Sequence, residues 1–274
     1  MSPRRETRAV VCLPALDLRP EPAHRAELAS QLLMGETVRL LSRTPRAGWW
    51  RVRGESDGYE GWVRAWRLVI APAARVARWR RRALGRVAAP FVAATARPMG
   101  GLAVSPLFFG SRLIVRARRA GRAQVELPDA RLGWVPATAL GTRARAPALW
   151  DRVSSFLGAP YLWGGRTVAG IDCSALVQLV LGERDVSLPR DAREQHAASR
   201  RVAAERDVRP GDLACFARPG EAVSHVGLAL GERSFAHSRG VVCIASLDPK
   251  SPLYAKDLAS QFVGWYRPRG LTGS

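Results

Sequence analysis

Apolar side chains recur at helical spacing in one segment of the second half of this 274-residue chain. Because about 3.6 residues make one helical turn, such spacing predicts a helix with one buried face. Asp172 or Cys173 would start this helix, directly behind a glycine-rich turn. The residues that carry the spacing are Leu176, Val177, Val180 and Leu181.

A period of two, which is typical of a β-strand, appears further along the chain. Val226, Leu228 and Leu230 alternate there with His225, Gly227 and Ala229. This alternation places His225 on the face opposite the large apolar side chains. If the following turn, at residues 231–233, holds three residues, His237 lies opposite Gly227 and on the same face as His225. A two-residue loop would put the two histidines on opposite faces, and the sequence leaves both registers open.

The first half of the chain shows short β-rich runs broken by glycine and charged turns, and it contains an internal repeat. Arg19-Pro20, Gly35 and Gly61-Trp62-Val63 recur as Arg97-Pro98, Gly110 and Gly133-Trp134-Val135. Each copy has the size of a small β-barrel module. We therefore predict barrels at 8–70 and 87–141, a basic linker at 71–86 and a separate domain at 148–274.

The predicted helix start makes Cys173 a candidate nucleophile. Unpaired N–H groups and the positive end of the helix dipole stabilise a thiolate, so we expect the pKa of this thiol to be lowered. His225 would take and return the proton, and His237 would orient His225 through its other ring nitrogen. This set of residues predicts a cysteine hydrolase.

The other cysteines and histidines have simpler interpretations. Cys12, Cys215 and Cys243 are interpreted as core residues, because most cysteines in proteins are small buried hydrophobes. His24 and His196 lie among charged residues and are expected to be solvated. A zinc site is disfavoured, because no pair of candidate ligands shows the close spacing of common structural sites, and we expect neither metal nor cofactor. The ligands considered for zinc are Cys173, Cys215, His225 and His237.

Several short motifs resemble the NlpC family of bacterial cell-wall cysteine peptidases. The resemblance implies an α+β, papain-like fold, with the cysteine on a helix packed against an antiparallel sheet that carries the two histidines. It also implies hydrolysis of the amide between γ-D-glutamate and a diamino acid in peptidoglycan stem peptides, with Cys173 forming the acyl enzyme. The motifs are Pro160-Tyr-Leu-Trp-Gly-Gly165, Ile171-Asp-Cys-Ser-Ala-Leu-Val177, Leu188-Pro-Arg-Asp-Ala-Arg-Glu-Gln195, Pro210-Gly-Asp-Leu213, and Ser224-His-Val-Gly-Leu228 followed by Phe235-Ala-His-Ser238.

The resemblance further implies substrate contacts near the nucleophile. Tyr161 matches a tyrosine beside the nucleophile that helps hold the oxyanion, together with backbone N–H groups at the helix start. Asp172 and Ser174 match positions that line the substrate pocket. Trp163 either contacts substrate or packs within the turn.

Asp191 bears on which end of a peptide is recognised. In family members that act as dipeptidyl peptidases, the matching aspartate binds the free α-amine of a terminal L-alanine, and an ordinary helix cap is the alternative. Ala192 stands where the family usually has serine, which leaves the amine pocket one hydroxyl short.

The repeat copies resemble bacterial SH3-like domains. Two such modules ahead of an NlpC-type domain are an arrangement of the dipeptidyl-peptidase type, in which the first barrel closes one end of the groove. Glu27 and Tyr59 stand where that barrel would supply pocket residues, and ordinary barrel-surface side chains are the alternative.

The chain is strongly basic, with 43 Lys and Arg residues against 23 Asp and Glu and a formal net charge of +20. Six arginines fall within residues 75–86. Nearly all basic residues are arginine, which a compositional bias explains in part, and no nucleic-acid motif accompanies them. We therefore interpret this stretch as a solvated linker or a face resting on acidic polymer, and we expect no nucleic-acid partner.

The compartment is predicted from the N-terminal segment and the cysteines. Residues 9–16 contain Pro14 and run into Asp17 without a small-residue cleavage site, so we interpret them as a barrel strand. No run of about twenty apolar residues is present to span a membrane. Four cysteines without paired spacing suit a reducing cytosol.

We therefore expect a cytoplasmic enzyme, with a monomer as the expected state, that recycles free stem peptides carrying an N-terminal L-Ala. Two alternatives remain. One is an exported hydrolase of intact peptidoglycan, and the other is a non-catalytic protein that binds wall polymer or another polyanion.

Overall fold

The computed structural model of the chain describes residues 7–42, 44–141 and 148–271. The chain divides into two compact units, residues 1–145 with 166–168 and residues 146–165 with 169–274. Residues 272–274, which close the domain predicted at 148–274, lie outside the described residues.

The first repeat copy folds into a five-stranded antiparallel sheet in the order β6-β5-β4-β1-β7, with β2 and β3 as a separate hairpin. Alternate side chains of β5 and β6 point into its core, where Val52 and Val63 are fully buried. The strands are β1 (Thr7–Val11), β2 (Ala15–Leu18), β3 (Ser30–Leu33), β4 (Thr37–Leu40), β5 (Trp49–Gly54), β6 (Glu60–Arg64) and β7 (Leu68–Pro72).

The second repeat copy folds into a six-stranded antiparallel sheet in the order β10-β9-β13-β12-β11-β8. Its core includes the fully buried Leu107, Leu113 and Val125. The strands are β8 (Gly85–Arg86), β9 (Phe91–Arg97), β10 (Gly100–Phe108), β11 (Arg112–Arg119), β12 (Arg122–Glu126) and β13 (Leu132–Pro136).

The two copies share the same backbone hydrogen bonds at their repeated glycines. The N–H of Gly35 donates to the Val11 carbonyl at 2.9 Å, and the N–H of Gly110 donates to the Val87 carbonyl at 2.9 Å. Both glycines have positive φ, +82° and +88°, which side chains with a Cβ rarely adopt. A short 3-10 turn also follows the repeated Gly-Trp-Val strand in each copy, at Ala65–Arg67 and Ala137–Ala139. The repeat in the sequence is therefore also a repeat in structure.

The basic segment predicted as a linker contains a helix, α1 (Ala73–Arg82). Val76 is buried on the first sheet's side of α1, and Trp79 donates from Nε1 to the Gly35 carbonyl at 3.1 Å. The arginines of α1 are exposed, as expected for a solvated basic face. These arginines are Arg75, Arg78, Arg80, Arg81 and Arg82.

The second unit is built on a six-stranded antiparallel sheet in the order β16-β21-β17-β18-β19-β20. The first unit includes residues 166–168 and so takes in β14, where Arg166 pairs with Glu36 at 2.9 Å. The remaining elements are α2 (Leu149–Ser154), β14 (Arg166–Thr167), β15 (Gly170–Ile171), α3 (Cys173–Gly182), α4 (Ala192–Ala197), β16 (Ser199–Arg201), β17 (Leu213–Phe216), β18 (His225–Gly231), β19 (Ser234–Arg239), β20 (Val241–Ser246), α5 (Lys256–Ala259) and β21 (Phe262–Pro268).

Helix α3 packs against β18 and β19, so the cysteine helix lies on the sheet that carries the two histidines. This confirms the α+β, papain-like arrangement predicted for this part of the chain. The prediction of one buried face was wrong, because every residue from Cys173 to Leu181 is buried. Besides the sheet, α3 contacts α2 and α4. These two helices cover the face of α3 that the apolar spacing had predicted to be exposed.

Among the residues that the structure describes, no helix has both the length and the apolar character needed to cross a bilayer.

Candidate active site

The site is built around the start of α3, where Asp172 is the N-cap and Cys173 the first helical residue. The Asp172 carboxylate accepts the N–H of Ala175 at 2.7 Å, which satisfies one of the free donors of the first turn. The preceding turn needs glycine, because Gly164 has φ +74° and a Cβ on Gly165 would lie 2.4 Å from the Gly170 carbonyl oxygen. This turn delivers Cys173 to the helix start, with only 7% of its surface exposed.

The two histidines lie on the same face of the sheet and are joined by a hydrogen bond. Nε2 of His225 is 3.0 Å from Nδ1 of His237. The strand pairing Leu228↔Ala236 gives the register predicted for a three-residue loop. The turn itself is tighter, because Gly231 pairs with Ser234, and a bulge between Ala229 and Gly231 restores the register.

The thiol of Cys173 lies next to His225 along the sheet. Its sulfur accepts a hydrogen bond from the backbone N–H of Val226, the residue that follows His225 in β18. Nε2 of His225 is engaged by His237, so the predicted transfer of the thiol proton to His225 would use Nδ1. The predicted nucleophile and the two histidines thus lie on adjoining elements of one unit, and their catalytic roles stay predictions.

The expectation of a lowered thiol pKa was wrong. Burial, reinforced by the negative charge of Asp172, raises the pKa of the Cys173 thiol to about 11. The hydrogen bonds from Val226 and Ser174 and the charge of Arg190 act in the opposite direction but do not prevail. The charges at a helix end contribute about 1 kcal/mol, which is less than one pKa unit. Full burial shifts a pKa by up to about 5 units, so burial prevails. Cys173 is therefore a neutral thiol at neutral pH.

Both histidines are neutral as well. Burial, followed by the proximity of His237 and Arg239, lowers the pKa of His225 to about 3. Burial and Arg239 lower the pKa of His237 to about 4, although Asp257 acts the other way. Neutral imidazoles are able to accept a proton, which is the state that a general base requires.

A buried ion pair stands directly behind the nucleophile. Arg190, 1% exposed, donates to both carboxylate oxygens of Asp172, at 3.0 Å to Oδ1 and 2.5 Å to Oδ2. Arg190 also donates to the Ser174 hydroxyl at 2.8 Å, and the N–H of Gly164 donates to Asp172 Oδ2 at 3.0 Å. Asp172 and Ser174, predicted to line the substrate pocket, thus hold the glycine turn and the helix start together. Their contact with substrate stays a prediction.

Tyr161 lies within electrostatic range of the nucleophile. Burial, followed by the charges of Cys173 and Asp172, raises the pKa of the Tyr161 hydroxyl to about 12. This phenol therefore keeps its proton at neutral pH and is able to donate a hydrogen bond. Trp163 is 58% exposed, so this side chain is open to solvent rather than packed inside the turn.

Asp191 occupies the N-cap position of α4, directly after Arg190. Its carbonyl accepts the N–H of Gln195 at 2.9 Å, while its side chain makes no capping hydrogen bond. The half-buried carboxylate is thus not used as a cap, and its amine-binding role stays a prediction. Glu27, exposed, and Tyr59, half-buried, belong to the first unit, and their predicted pocket roles are likewise untested.

The remaining cysteines divide in two. Cys215 is fully buried in β17, as predicted, and Cys12 is partly exposed, with its sulfur 3.1 Å from the Arg67 carbonyl. The interpretation of Cys12 and Cys243 as core residues was wrong, because both are only half-buried. Cys243 is half-buried, and its sulfur lies 3.5 Å from Nε2 of His237.

The two other histidines have partners. His24 is exposed, contacts the Arg64 guanidinium and stacks edgewise on the Trp49 ring at 5.2 Å. His196 is half-buried against Tyr266, and burial lowers its pKa, so it is less solvated than expected. Among the described residues, no group of three or more His, Cys, Asp or Glu side chains is arranged to hold a metal ion.

Three polar residues of the site escaped identification from the sequence. Arg190 and the fully buried Gln195, which donates to the Ser174 carbonyl at 2.9 Å, lie in a motif noted only for its resemblance. Cys243 had a usable signal, because a tight turn at Gly240, with φ +75°, places residues 237 and 243 opposite each other.

A cysteine at the start of a buried helix that packs against an antiparallel sheet carrying a histidine pair is the arrangement of a papain-like fold. Residues 158–260 match the NlpC/P60 family, and residues 18–68 match the bacterial dipeptidyl-peptidase SH3 domain. Residues 158–260 therefore form a domain of the NlpC/P60 type, and a domain of the dipeptidyl-peptidase SH3 type precedes it in the chain.

Similar proteins agree with this assignment. A gamma-D-glutamyl-L-lysine dipeptidyl-peptidase of Bacillus subtilis is 38% identical over 108 residues, 38% of this chain and 36% of that protein. A protein of the same name from Bacillus cereus is 25% identical over 262 residues, 85% of this chain and 74% of that protein. The matched regions span 23%, 36% and 38% of the length of the first three curated relatives.

A solved structure shows the same fold along nearly the whole chain. The crystal structure of an NlpC/P60 family protein from Bacillus cereus superimposes with a TM-score of 0.79 at 19% identity, covering 95% of this chain and 98% of that one.

Proposed function

We propose that the second unit hydrolyses the amide between γ-D-glutamate and a diamino acid in peptidoglycan stem peptides. The observation that carries this proposal is the 3.0 Å hydrogen bond between His225 and His237, next to the buried thiol of Cys173. This bond gives the nucleophile a base and an orienting partner. The names of the similar dipeptidyl-peptidases support the choice of bond.

In the first half of the reaction, Sγ of Cys173 attacks the γ-carbonyl carbon of the glutamyl residue while its proton moves to Nδ1 of His225. The tetrahedral intermediate collapses as His225 gives this proton to the amine of the departing diamino acid. A thioester between Cys173 and the glutamyl peptide remains. In the second half, water attacks the thioester, and His225 passes the proton of that water back to Sγ.

The oxyanion formed in each half requires donors beside Cys173. The protonated hydroxyl of Tyr161 is one candidate, and the backbone N–H groups at the start of α3 are the others. The Asp172–Arg190 ion pair holds this helix start in place and so keeps the donors aligned.

We further propose that free stem peptides with an N-terminal L-Ala are the substrates and that L-Ala-γ-D-Glu is released. The match of residues 18–68 to the SH3 domain of bacterial dipeptidyl-peptidases supports this choice. In the second unit, Asp191 is the proposed partner of the terminal ammonium, because its half-buried carboxylate stands at the position of the Leu188–Gln195 motif that binds this amine in similar dipeptidyl peptidases.

We also propose a second SH3-like barrel and a cytoplasmic location. Residues 87–141 form a second SH3-like barrel, which the backbone hydrogen bonds shared by Gly35 and Gly110 support. The reaction takes place in the cytoplasm, where the four free cysteines stay reduced.

The test is to incubate the protein under reducing conditions with L-Ala-γ-D-Glu-L-Lys and its meso-diaminopimelate analogue, and to identify the products by mass spectrometry. We expect release of L-Ala-γ-D-Glu, and at least about tenfold slower release from N-acetylated peptides, because acetylation removes the ammonium that would pair with Asp191.

Two results would contradict the proposal. Equal turnover of acetylated peptides together with cleavage of intact wall would indicate a hydrolase of polymeric peptidoglycan. Binding of wall polymer without any cleavage would indicate a binding protein.

A further inference from the structure

Cys243 extends the hydrogen-bonded pair of His225 and His237 by one further side chain. In the pairing of β19 with β20, His237 lies directly opposite Cys243. Directly opposed residues have their Cβ atoms about 5 Å apart, so the two side chains meet on the same face. The sulfur of Cys243 is 3.5 Å from Nε2 of His237, the nitrogen that does not contact His225.

The direction of proton transfer requires one particular form of His237. For Nδ1 of His225 to accept the Cys173 proton, the proton of neutral His225 must sit on Nε2 and point at Nδ1 of His237. His237 must then carry its own proton on Nε2, which faces the sulfur of Cys243. In the opposite form, His237 would donate from its own Nδ1 to Nε2 of His225. The proton of His225 would then sit on its Nδ1, and His225 would be unable to accept the Cys173 proton.

The charged neighbours of His237 do not select between these two forms. Arg239, on β19, lowers the pKa of His237, and Asp257, on α5, raises it. These two side chains are exposed and ion-paired with each other, so they act on the charge of the ring rather than on the position of its proton. Among the hydrogen bonds that the described residues make to this ring, the contact with Cys243 is the one at Nε2.

We propose that Cys243 is a positioning residue: its sulfur accepts the Nε2–H of His237 and holds the tautomer that keeps His225 ready to accept the Cys173 proton. The inference rests on the proposed peptidase function of Cys173, His225 and His237. Burial raises the pKa of the Cys243 thiol, so at neutral pH the group is a neutral thiol whose sulfur lone pairs accept the bond.

The test compares Cys243→Val, which keeps the size but removes the acceptor, with Cys243→Ser, which keeps an acceptor. Cys12→Ala serves as the matched control, because Cys12 is a partly exposed cysteine in the other unit. We expect Cys243→Val to lower kcat about 3- to 10-fold, the effect of one hydrogen bond, with KM unchanged. Cys243→Ser should recover part of this loss, and Cys12→Ala should match the wild type.

A double-mutant cycle separates positioning from general packing. In a His237→Ala background, Cys243→Val should have no further effect on kcat, because the ring it positions is gone. Additive losses would overturn the inference. Thermal melting of each variant identifies any loss of folded protein.

Long-range ¹H–¹⁵N spectra of the histidine rings give a readout that does not depend on turnover. We expect His237 to carry its proton on Nε2 in the wild type and to populate the Nδ1–H form in Cys243→Val. An unchanged tautomer or an unchanged kcat in that variant overturns the role of Cys243. Absence of turnover in the wild type would instead overturn the peptidase proposal, while the spectra would still report on the contact with Cys243.

Discussion

Two hydrogen-bonded networks meet at the start of α3, and they are built in opposite ways. Behind the helix start, Asp172 and Arg190 form a buried ion pair whose carboxylate also accepts bonds from the glycine turn and the first helical turn. In front of it, Cys173 and the His225–His237 pair are neutral groups, and a hydrogen bond of 3.0 Å joins the two rings.

The charged network suits a supporting role, and the neutral groups suit proton transfer. A buried ion pair with all its hydrogen bonds made resists rearrangement, because moving either partner leaves the other charge unpaired in the protein interior. A neutral chain is able to move a proton from one member to the next without building up charge in the resting state. Asp172 and Cys173, adjacent in the sequence, thus belong to two networks of opposite character.

Breaking the charged network should give the largest loss of stability. Arg190→Met leaves the Asp172 carboxylate buried and unpaired, so we expect the free energy of unfolding to fall by about 3–5 kcal/mol. Glu205→Gln is the matched control, because the Glu205–Arg233 pair is exposed and its loss costs at most about 1 kcal/mol. Denaturant titration of both variants checks this, and equal losses would mean that the buried pair does not support the site.

The neutral network predicts how the nucleophile responds to pH. Because the pKa of Cys173 is about 11, its alkylation by iodoacetamide should accelerate nearly tenfold per pH unit, about a hundredfold between pH 7 and 9. Peptide mapping follows the rate at Cys173, with the fully buried Cys215 as an internal control that stays unmodified. A rate that is flat from pH 6 to 8 would show instead a thiolate paired with a charged His225.

Asp191 tests whether a carboxylate next to the charged network is available to substrate. Asp191→Asn keeps the shape but removes the charge, so we expect kcat/KM for peptides with a free N-terminus to fall about tenfold. Peptides with an acetylated N-terminus should be unaffected. Glu194→Gln, which changes an exposed carboxylate on the same helix, is the control. A parallel loss with both kinds of peptide would remove Asp191 from amine recognition.

The neutral histidines should make the fold sensitive to acid. Their pKa values of about 3 and 4 lie below the ordinary value of 6.5, so the unfolded chain binds protons between these limits that the folded chain does not. Their contribution to stability is therefore present above pH 6.5 and is lost as pH falls towards 3.

The expected size is at most about 1.4 kcal/mol per pH unit for each histidine. Melting curves between pH 7 and 5 should show a shallower loss of stability in His237→Gln than in wild type, whereas His24→Gln, in the other unit, should follow the wild type. Identical slopes in all three proteins would contradict the burial of neutral rings.

The sequence predicted much of the site but left its register undecided. Period-two alternation placed His225 on a strand, yet the relation of His225 to His237 depended on the turn between them. In the structure, a two-residue turn is followed by a bulge. The extra bulge residue gives the remaining strand pairs the register that a three-residue loop would give. Bulges depend on twist and packing across the sheet, which a count along one strand does not include.

The state of the thiol was mispredicted for a related reason. The helix start is visible in the sequence, but the extent of burial around Cys173 depends on how sheet and helices close over α3. Arg190 escaped notice because arginine is rarely buried unless paired, and its partner Asp172 lies 18 residues away. Local patterns in the sequence identified the helix and strands, whereas tertiary packing determined the protonation state of Cys173 and the burial of Arg190.

The central claim is that the neutral chain beginning at Cys173 performs the cleavage. It is tested most directly by measuring release of L-Ala-γ-D-Glu from L-Ala-γ-D-Glu-L-Lys by wild type, Cys173→Ala and Cys12→Ala, with melting curves confirming that all three fold. We predict that Cys173→Ala loses turnover by at least about a thousandfold while Cys12→Ala retains it. Dipeptide release by Cys173→Ala at a rate comparable to the wild type would contradict the account.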